Sequence, residues 1–179
     1  MLPRLARRRR IDNALTMPSH SAATPDRAAI PSVLFICTGN ICRSPTAHAL
    51  LLHKARAAGF NVEVDSAAIS DEERGNPADP RALAEARRRG IAMPERRARQ
   101  VKSADFARFD HVIGMTRAHC AALQRLAPAA QTGKIRMLMA LDVPDPWYGG
   151  QGAFVEAFDM IERGVDGLMA QLRREAGGG

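Results

Sequence analysis

Short apolar runs alternate with longer amphipathic stretches from Val33 onwards, and this alternation predicts strands separated by helices. Strands are predicted at 33–37, 61–65, 110–115 and 135–138. Helices are predicted at 45–59, 81–89, 103–109, 116–126 and 151–174. Strands that are joined by helical crossovers are typical of βαβ units. The sequence therefore predicts an α/β fold with a parallel sheet, whose ligands bind beyond the carboxyl ends of the strands.

Local signals mark where several of these helices begin and end. Ser44 followed by Pro45 predicts a capped start for the first helix, and Gly59 predicts its end. Ser103 is predicted to cap the short third helix. The last helix carries an apolar stripe at helical spacing, which predicts a face packed on the core. The stripe consists of Phe154, Phe158, Ile161, Val165, Leu168 and Leu172.

Composition adds size and charge to this picture. A chain of 179 residues with 46% hydrophobic side chains supports one domain with a substantial core, which we place at residues 32–176. The formal charge is +7, but residues 1–30 hold six Arg and two Asp, so +4 lies in the N-terminal tail and +3 in the body. Because the body has so little excess charge, we predict no nucleic-acid partner.

The basic tail at residues 1–31 is polar and contains little apolar surface to bury, which predicts disorder. It lacks the apolar segment that follows the basic start of a secretory signal. No stretch of the chain reaches the roughly 18 apolar residues of a membrane span. Without a secretion signal, Cys37, Cys42 and Cys120 argue for free thiols in a reducing compartment. We therefore predict a cytoplasmic protein that has no membrane partner.

The candidate chemistry lies in the run VLFICTGNICRSP at residues 33–45. Its loop joins a strand to a helix start, where free backbone N–H groups and the helix dipole favour an anion. Gly39 and Asn40 are predicted to supply the left-handed backbone conformation that turns successive N–H groups inward. Arg43 adds a planar charged fork that can bind two phosphate oxygens. This loop is predicted to bind one phosphate group.

Cys37 is the candidate nucleophile of this loop. A helix N-terminus and a neighbouring arginine both stabilise a thiolate over a thiol. Ser44 Oγ, at the end of the loop, can donate a hydrogen bond to that thiolate and ease its later departure. The chain lacks the Gly-x4-Gly-Lys-Ser/Thr motif of nucleotide-binding phosphate loops, so ATP and GTP are not predicted ligands.

Transfer of a phosphoryl group to sulfur requires a proton for the departing oxygen, so a general acid is expected on another loop. Asp142 and Asp145 in LDVPDPWYGG are the candidates. We favour Asp145, because prolines on both sides stiffen its backbone and the two glycines that follow let the loop turn over the pocket. Trp147 and Tyr148 lie beside it and are predicted to form the walls of a cleft for an aromatic phosphoester.

The chain resembles the low-molecular-weight protein tyrosine phosphatases. The segments CTGNICRSP, VDSAAIS, GNPADPRA, ARQV and DPWYGG occur in the order of that family, over about residues 32–175. The resemblance implies a flavodoxin-like three-layer sandwich, in which a four-stranded parallel sheet has helices on both faces. It also implies a phosphocysteine intermediate without metal or cofactor, phosphotyrosine proteins as substrates, a cognate tyrosine kinase as a candidate partner, and a monomer or weak homodimer.

The resemblance also implies roles for individual residues. Cys37 corresponds to the nucleophile, Arg43 to the phosphate clamp, and Asp145 to the acid that later acts as a base. The positions that correspond to substrate contacts or to the polar network of the loop are Thr38, Gly39, Asn40, Ile41, Cys42, Ser44, Ser66, Trp147 and Tyr148. Cys42 is expected to form a reversible disulfide with Cys37. Glu72 stands where relatives carry an aromatic residue at the pocket rim, so it would repel acidic phosphopeptides.

Three other functions remain open at this point. An arsenate reductase on this scaffold needs two further cysteines beside the third strand, where only Cys120 lies. A protein-arginine phosphatase would carry Thr at the position of Ile41, and the isoleucine leaves a more apolar pocket. The chain could also bind phosphate without turnover.

Four histidines have no partners at metal-ligand spacing, and we expect them to be ordinary helix or strand residues. They are His48, His53, His111 and His119. We likewise expect Cys120 to be a small packed residue.

Overall fold

The computed structural model describes residues 30–177, so nearly all of the predicted tail lies outside the described residues. Four strands form one sheet in the order β2-β1-β3-β4, and all of its pairs are parallel. The strands are β1 (Ser32–Cys37), β2 (Glu63–Ala68), β3 (His111–Gly114) and β4 (Ile135–Met137). The predicted parallel sheet is confirmed.

Five α-helices connect and follow these strands. They are α1 (Arg43–Ala57), α2 (Pro80–Arg88), α3 (Ser103–Arg108), α4 (Arg117–Leu126) and α5 (Gln151–Gly177). Two short 3₁₀ segments, Ala129–Lys134 and Pro146–Tyr148, lie between α4 and α5. No helix within residues 30–177 is long and apolar enough to cross a membrane.

Alternate residues of β1 contact the two helical layers. Val33 and Phe35 belong to the core shared with α1 and α5, whereas Leu34 and Ile36 belong to the core shared with α3 and α4. Because successive side chains of a strand point to opposite faces, this fully buried strand is covered on both sides. The flavodoxin-like three-layer architecture is therefore confirmed. All six residues of the predicted stripe on α5 are buried as expected.

The second strand lies further along the chain than its local pattern predicts. We expected it at 61–65, but β2 runs from Glu63 to Ala68 and pairs residue by residue with β1, from Ser32 opposite Glu63 to Cys37 opposite Ala68. The alternating pattern of the predicted segment ends at Asp65, yet hydrogen bonding to the central strand extends the pairing through three more buried residues. Long-range pairing has overridden the local signal.

The predicted serine caps are both wrong. Cys42 occupies the cap position of α1 without a side-chain hydrogen bond, and Ser44 lies inside the helix. At α3 the cap residue is Lys102, whose backbone N–H donates to the carboxylate of Asp105. The oxygen of Ser44 instead contacts the loop described below, and at α3 the carboxylate of Asp105 accepts the N–H of the cap residue itself.

Candidate active site

The loop between β1 and α1 has a backbone shaped by one left-handed residue. Asn40 has a φ of 59°, whereas Gly39 lies outside the left-handed region. The expectation that Gly39 supplies this conformation is therefore wrong. Gly39 is instead required for space, since a Cβ there would lie 2.9 Å from Cγ of Glu73. An asparagine tolerates the left-handed conformation better than most other residues do.

The side chain of Asn40 joins the loop to the neighbouring strand. Its Nδ2 donates to Ser44 Oγ and to Ser66 Oγ, each at 3.0 Å, and its Oδ1 accepts the backbone N–H of Arg99 at 3.1 Å. Asn40, Ser44 and Ser66 are all buried. The structure thus brings together the three residues that the sequence analysis assigned to one polar network.

A hydroxyl and a backbone N–H both contact the sulfur of Cys37. Ser44 Oγ lies 3.0 Å from Sγ, and the backbone N–H of Asn40 donates to Sγ at 3.3 Å. Cys37 is only 2% exposed. Since a hydroxyl and an amide both stabilise negative charge on the atom that they contact, this environment suits a thiolate.

The guanidinium of Arg43 is buried between the loop and the segment that follows β4. Nη1 donates to the carbonyl of Val143 at 3.2 Å, while Nη2 donates to Thr38 Oγ1 at 3.1 Å and to Asp145 Oδ2 at 2.5 Å. Nε is buried and has no partner among the residues that the structure describes. A buried N–H donor without a partner is costly, and an oxyanion in the loop would satisfy it.

Asp145 starts the turn that carries the two aromatic residues. Its Oδ1 accepts the backbone N–H of Trp147 at 3.2 Å, which caps the 3₁₀ segment Pro146–Tyr148. Asp142, the other candidate acid, accepts the backbone N–H of Arg117 at 2.9 Å and does not line the cleft. Of the two candidates, only Asp145 is therefore placed to act on a substrate.

Arg81 holds this turn in place, and sequence reasoning missed it. Its Nη1 donates to the carbonyls of Gly149 and Trp147, at 2.9 and 3.3 Å, while its Nη2 is paired with Asp79 at 2.9 Å. The guanidinium carbon also lies 4.3 Å from the ring centroid of Phe154. Its place two residues after the helix cap Asp79 gave no sign of contacts more than 60 residues away.

These elements enclose a cleft of about 120 Å³. It is lined by Cys37, Thr38, Gly39, Ile41, Cys42, Arg43, Glu72, Glu73, Asp145, Trp147 and Tyr148. Every substrate contact that the sequence predicts lies in this lining, and the remaining predicted residues, Asn40, Ser44 and Ser66, support the loop through the network described above. The cleft therefore has a cysteine thiol, a buried arginine, a carboxyl group and two aromatic rings along one surface.

Two titratable side chains next to the cleft are strongly affected by burial. Burial raises the pKa of the Cys42 thiol, and the charge of Asp79 raises it further. His119, expected to be an ordinary helix residue, in fact contacts the loop, because its Nε2 lies 3.0 Å from Thr38 Oγ1. Burial, and then the positive charge of Arg43, lower the pKa of His119 to about 4.

The remaining candidate groups are metal-ligating side chains and the third cysteine, Cys120. Within residues 30–177, no group of three or more His, Cys, Asp or Glu side chains is placed to hold a metal ion. Cys120 packs against β3, where a Cβ on Gly114 would lie 2.8 Å from its Sγ, and it does not line the cleft. All three cysteines, which lie in the described part of the chain, are free thiols.

Comparison with known proteins gives consistent matches over this whole region. The family described as "Low molecular weight phosphotyrosine protein phosphatase" matches residues 32–177. A low molecular weight protein-tyrosine-phosphatase of Streptomyces coelicolor is 39% identical, over 82% of this chain and 96% of the relative. The crystal structure of YfkJ from Bacillus subtilis superimposes with a TM-score of 0.78 at 36% identity, over 83% of this chain and 98% of that one. The structure of Wzb from Vibrio vulnificus in complex with benzylphosphonate superimposes with a TM-score of 0.73 at 30% identity, over 79% of this chain and 99% of that one.

Proposed function

Because the chain belongs to the low molecular weight phosphotyrosine protein phosphatase family and is a protein-tyrosine phosphatase, we propose that it acts through a phosphocysteine intermediate on Cys37. The observation that carries this proposal is the contact of the Asn40 N–H and the Ser44 hydroxyl with the Cys37 sulfur, in a cleft that also holds Arg43 and Asp145. A thiolate is the reactive form of cysteine, and these contacts favour it.

In the first step, the Cys37 thiolate attacks the phosphorus of phosphotyrosine, and the bond from phosphorus to the phenolic oxygen breaks. Asp145 gives its proton to that oxygen, so tyrosine leaves as the neutral phenol. The nonbridging oxygens are bound by the N–H groups of the loop and by Arg43, whose unpaired Nε–H finds an acceptor there. A bound phosphate also takes the place of Asp145 as a partner of Nη2.

In the second step, the carboxylate of Asp145 takes a proton from a water molecule, which attacks the phosphorus of the phosphocysteine. The bond between sulfur and phosphorus breaks, orthophosphate forms, and Cys37 leaves as a thiolate. The Ser44 hydroxyl and the Asn40 amide stabilise the departing sulfur, because both lie within hydrogen-bond distance of it. Asp145 is protonated at the end of this step; after phosphate leaves it releases that proton and pairs with Arg43 as in the resting enzyme, and it takes up a proton again when the next substrate displaces it from Arg43.

We propose an aryl phosphate rather than an aliphatic or guanidino phosphate as the substrate. Trp147, Tyr148 and Ile41 give the cleft an apolar lining beside the phosphate loop. The related Wzb structure holds benzylphosphonate, a benzyl group attached to a phosphonate. Ile41 at the cleft argues against the arginine phosphatase alternative, and the position of Cys120 away from the cleft argues against an arsenate-reducing relay.

Cellular context is also part of the proposal. Phosphotyrosine proteins are the proposed substrates, and the kinase that phosphorylates them is the proposed functional partner. A reducing compartment such as the cytoplasm suits a catalytic cycle that needs Cys37 as a free thiol, and all three cysteines are unpaired in the described residues. From the family to which the chain belongs, we further propose that the enzyme works as a monomer or weak homodimer.

The test is the hydrolysis of p-nitrophenyl phosphate at saturating concentration, with and without a metal chelator. We expect a burst of one product per active site, followed by slower turnover that the chelator leaves unchanged. Cys37→Ser should abolish both phases, while the control Cys120→Ser, which alters a thiol outside the cleft, should keep them. Activity that survives in Cys37→Ser, or that is lost with chelator, would contradict the mechanism. Phosphate binding without hydrolysis would identify a non-catalytic phosphate-binding module.

A further inference from the structure

His119 is held firmly at the start of α4. Its backbone N–H donates to Thr116 Oγ1 at 3.1 Å, and a Cβ on Gly114 would lie only 3.2 Å from its Cβ. The residue is 7% exposed, and its Nε2 lies 3.0 Å from Thr38 Oγ1. The position of the imidazole is thus set by the end of β3 and the first turn of α4, independently of the phosphate loop that it contacts.

The hydroxyl of Thr38 joins the imidazole of His119 to the guanidinium of Arg43. Thr38 Oγ1 accepts an N–H of Arg43 Nη2 at 3.1 Å, which leaves the threonine hydroxyl proton to be donated elsewhere. His119 Nε2 is the other polar atom in contact with that oxygen in the described structure. With the imidazole proton on Nδ1 the hydroxyl donates to Nε2, and with the proton on Nε2 the hydroxyl accepts from it, so Nε2 orients the Thr38 hydroxyl in either tautomer. Burial and Arg43 lower the pKa of His119 to about 4, so the ring is neutral at physiological pH.

We propose that His119 is a positioning residue for the phosphate-binding arginine, because its Nε2 orients the Thr38 hydroxyl and that hydroxyl orients Arg43 Nη2. The inference rests on the proposed function of Arg43 in binding phosphate. In the resting enzyme Nη2 donates to both Thr38 and Asp145. Once a phosphate takes the place of Asp145, Thr38 is the protein group that still orients Nη2, so the effect of His119 is greatest in the complex.

Packing alone explains this histidine poorly. Nδ1 is buried and has no partner among the described residues, and a buried polar atom without a partner is destabilising. A neutral apolar side chain of similar size would fill the same space without that cost and without a ring that becomes cationic, near Arg43, at low pH. The one polar contact of the imidazole among the described residues is its hydrogen bond to the Thr38 hydroxyl.

The test compares two amides of different reach at position 119. The side-chain oxygen of His119→Gln lies as many bonds from Cα as the imidazole Nε2 does, so it can accept the Thr38 hydroxyl. His119→Asn has the same amide on a shorter chain and cannot reach it. The readouts are the inhibition constant of orthophosphate and the kcat/KM for p-nitrophenyl phosphate, each per active site counted from the burst. The exposed His53 in α1 provides a control variant, His53→Asn.

We expect His119→Asn to weaken orthophosphate binding and to lower kcat/KM, each by about tenfold. This is the size of effect that the loss of one hydrogen bond produces, here the bond between His119 and the Thr38 hydroxyl that contacts Arg43. His119→Gln should remain within about threefold of the parent, and His53→Asn should match the parent. Thr38→Val should also cost about tenfold, and adding His119→Asn to it should cost nothing more, because His119 acts through Thr38. His119→Leu makes the same comparison if His119→Asn does not fold.

Three outcomes would overturn the inference. These are equal values for the Asn and Gln variants, effects of Thr38→Val and His119→Asn that multiply to about a hundredfold, and a loss of thermal stability with unchanged orthophosphate binding. A failure of the proposed function itself is distinguishable, because in that case the parent enzyme shows no burst or the Cys37→Ser variant stays active.

Discussion

Replacing Asp145 with Asn should change catalysis and phosphate affinity in opposite directions. Asp145 Oδ2 accepts from Arg43 Nη2 at 2.5 Å in the resting enzyme, and its other oxygen caps the turn at Trp147. The amide oxygen of Asn can keep the cap at Trp147, so the loop should stay folded. The variant loses the proton donor of the first step and the negative charge that pairs with Arg43.

The sizes of the two effects follow from these contacts. Loss of a general acid slows the first step by about 10²–10⁴ fold. The Arg43–Asp145 pair joins a buried guanidinium to a carboxylate that is 33% exposed, and a phosphate must break it. Partly exposed pairs contribute about 0.2–1 kcal/mol, which corresponds to a 1.4- to 5-fold gain in phosphate affinity when the pair is absent. Removing a carboxylate that repels the phosphate adds to the gain.

The assay measures burst rate and kcat with p-nitrophenyl phosphate, and the inhibition constant of orthophosphate, in the same preparations. Asp142→Asn is the matched control, because Asp142 lies on the same segment but accepts from Arg117 outside the cleft. We expect it to keep the parent values. The reasoning is refuted if Asp145→Asn keeps its burst rate within about threefold of the parent, or if it binds orthophosphate more weakly.

Three further predictions concern stability and selectivity. Asn40→Gly should lower the free energy of unfolding by about 3 kcal/mol, because three hydrogen bonds are lost. Asn40→Ala should lower it by about 1 kcal/mol more, because alanine is strained at the φ of 59°. Urea denaturation measures both values, and equal losses in the two variants would contradict this reasoning. The charge of Glu72 at the cleft should favour phosphotyrosyl peptides with flanking Lys over those with flanking Glu, measured as the ratio of their kcat/KM values. Glu72→Gln should lower this ratio by about two- to threefold. An unchanged ratio would exclude Glu72 as a selectivity residue. Burial, and then the charge of Arg96, lower the pKa of His48 to about 4, below its value of 6.5 in the unfolded chain. Between these two pH values the unfolded chain binds more protons than the folded chain does. The free energy of unfolding therefore falls as the pH drops from 6.5 to 4. His48→Gln should therefore lose about 1–2 kcal/mol less than the parent between pH 7 and pH 5, and identical losses would show that His48 does not titrate in this way.

The residues that line the cleft were predictable because they stand in contiguous segments. The loop that starts at Cys37 has its cysteine, its left-handed residue and its arginine within seven positions, and each is a residue type that suits a phosphate-binding loop. Asp145 stands in a stiff segment next to the aromatic residues. Site residues that depend on local backbone shape and residue type can therefore be predicted from a short segment of sequence.

Contacts between distant segments were not predictable. Thr38 and His119 are 81 positions apart, and Arg81 contacts a carbonyl 66 positions away, so no local pattern marks either pair. The assignment of β2 failed for the same reason, since its limits are set by pairing with β1 rather than by its own alternation. Side-chain roles that depend on which element packs nearby require the tertiary structure.

The register of the sheet connects these distant contacts to catalysis. Ser66 pairs with Phe35, and Ala68 pairs with Cys37, so the end of β2 lies level with the nucleophile and Ser66 can accept from Asn40. A shift of β2 by one residue would turn Ser66 to the opposite face of the sheet and remove that acceptor. The backbone of Asn40 would then lose part of what holds it at a positive φ, and with it the N–H that is directed at the Cys37 sulfur. The pairing of two buried strands thus helps to hold the backbone N–H that contacts the sulfur at the end of β1.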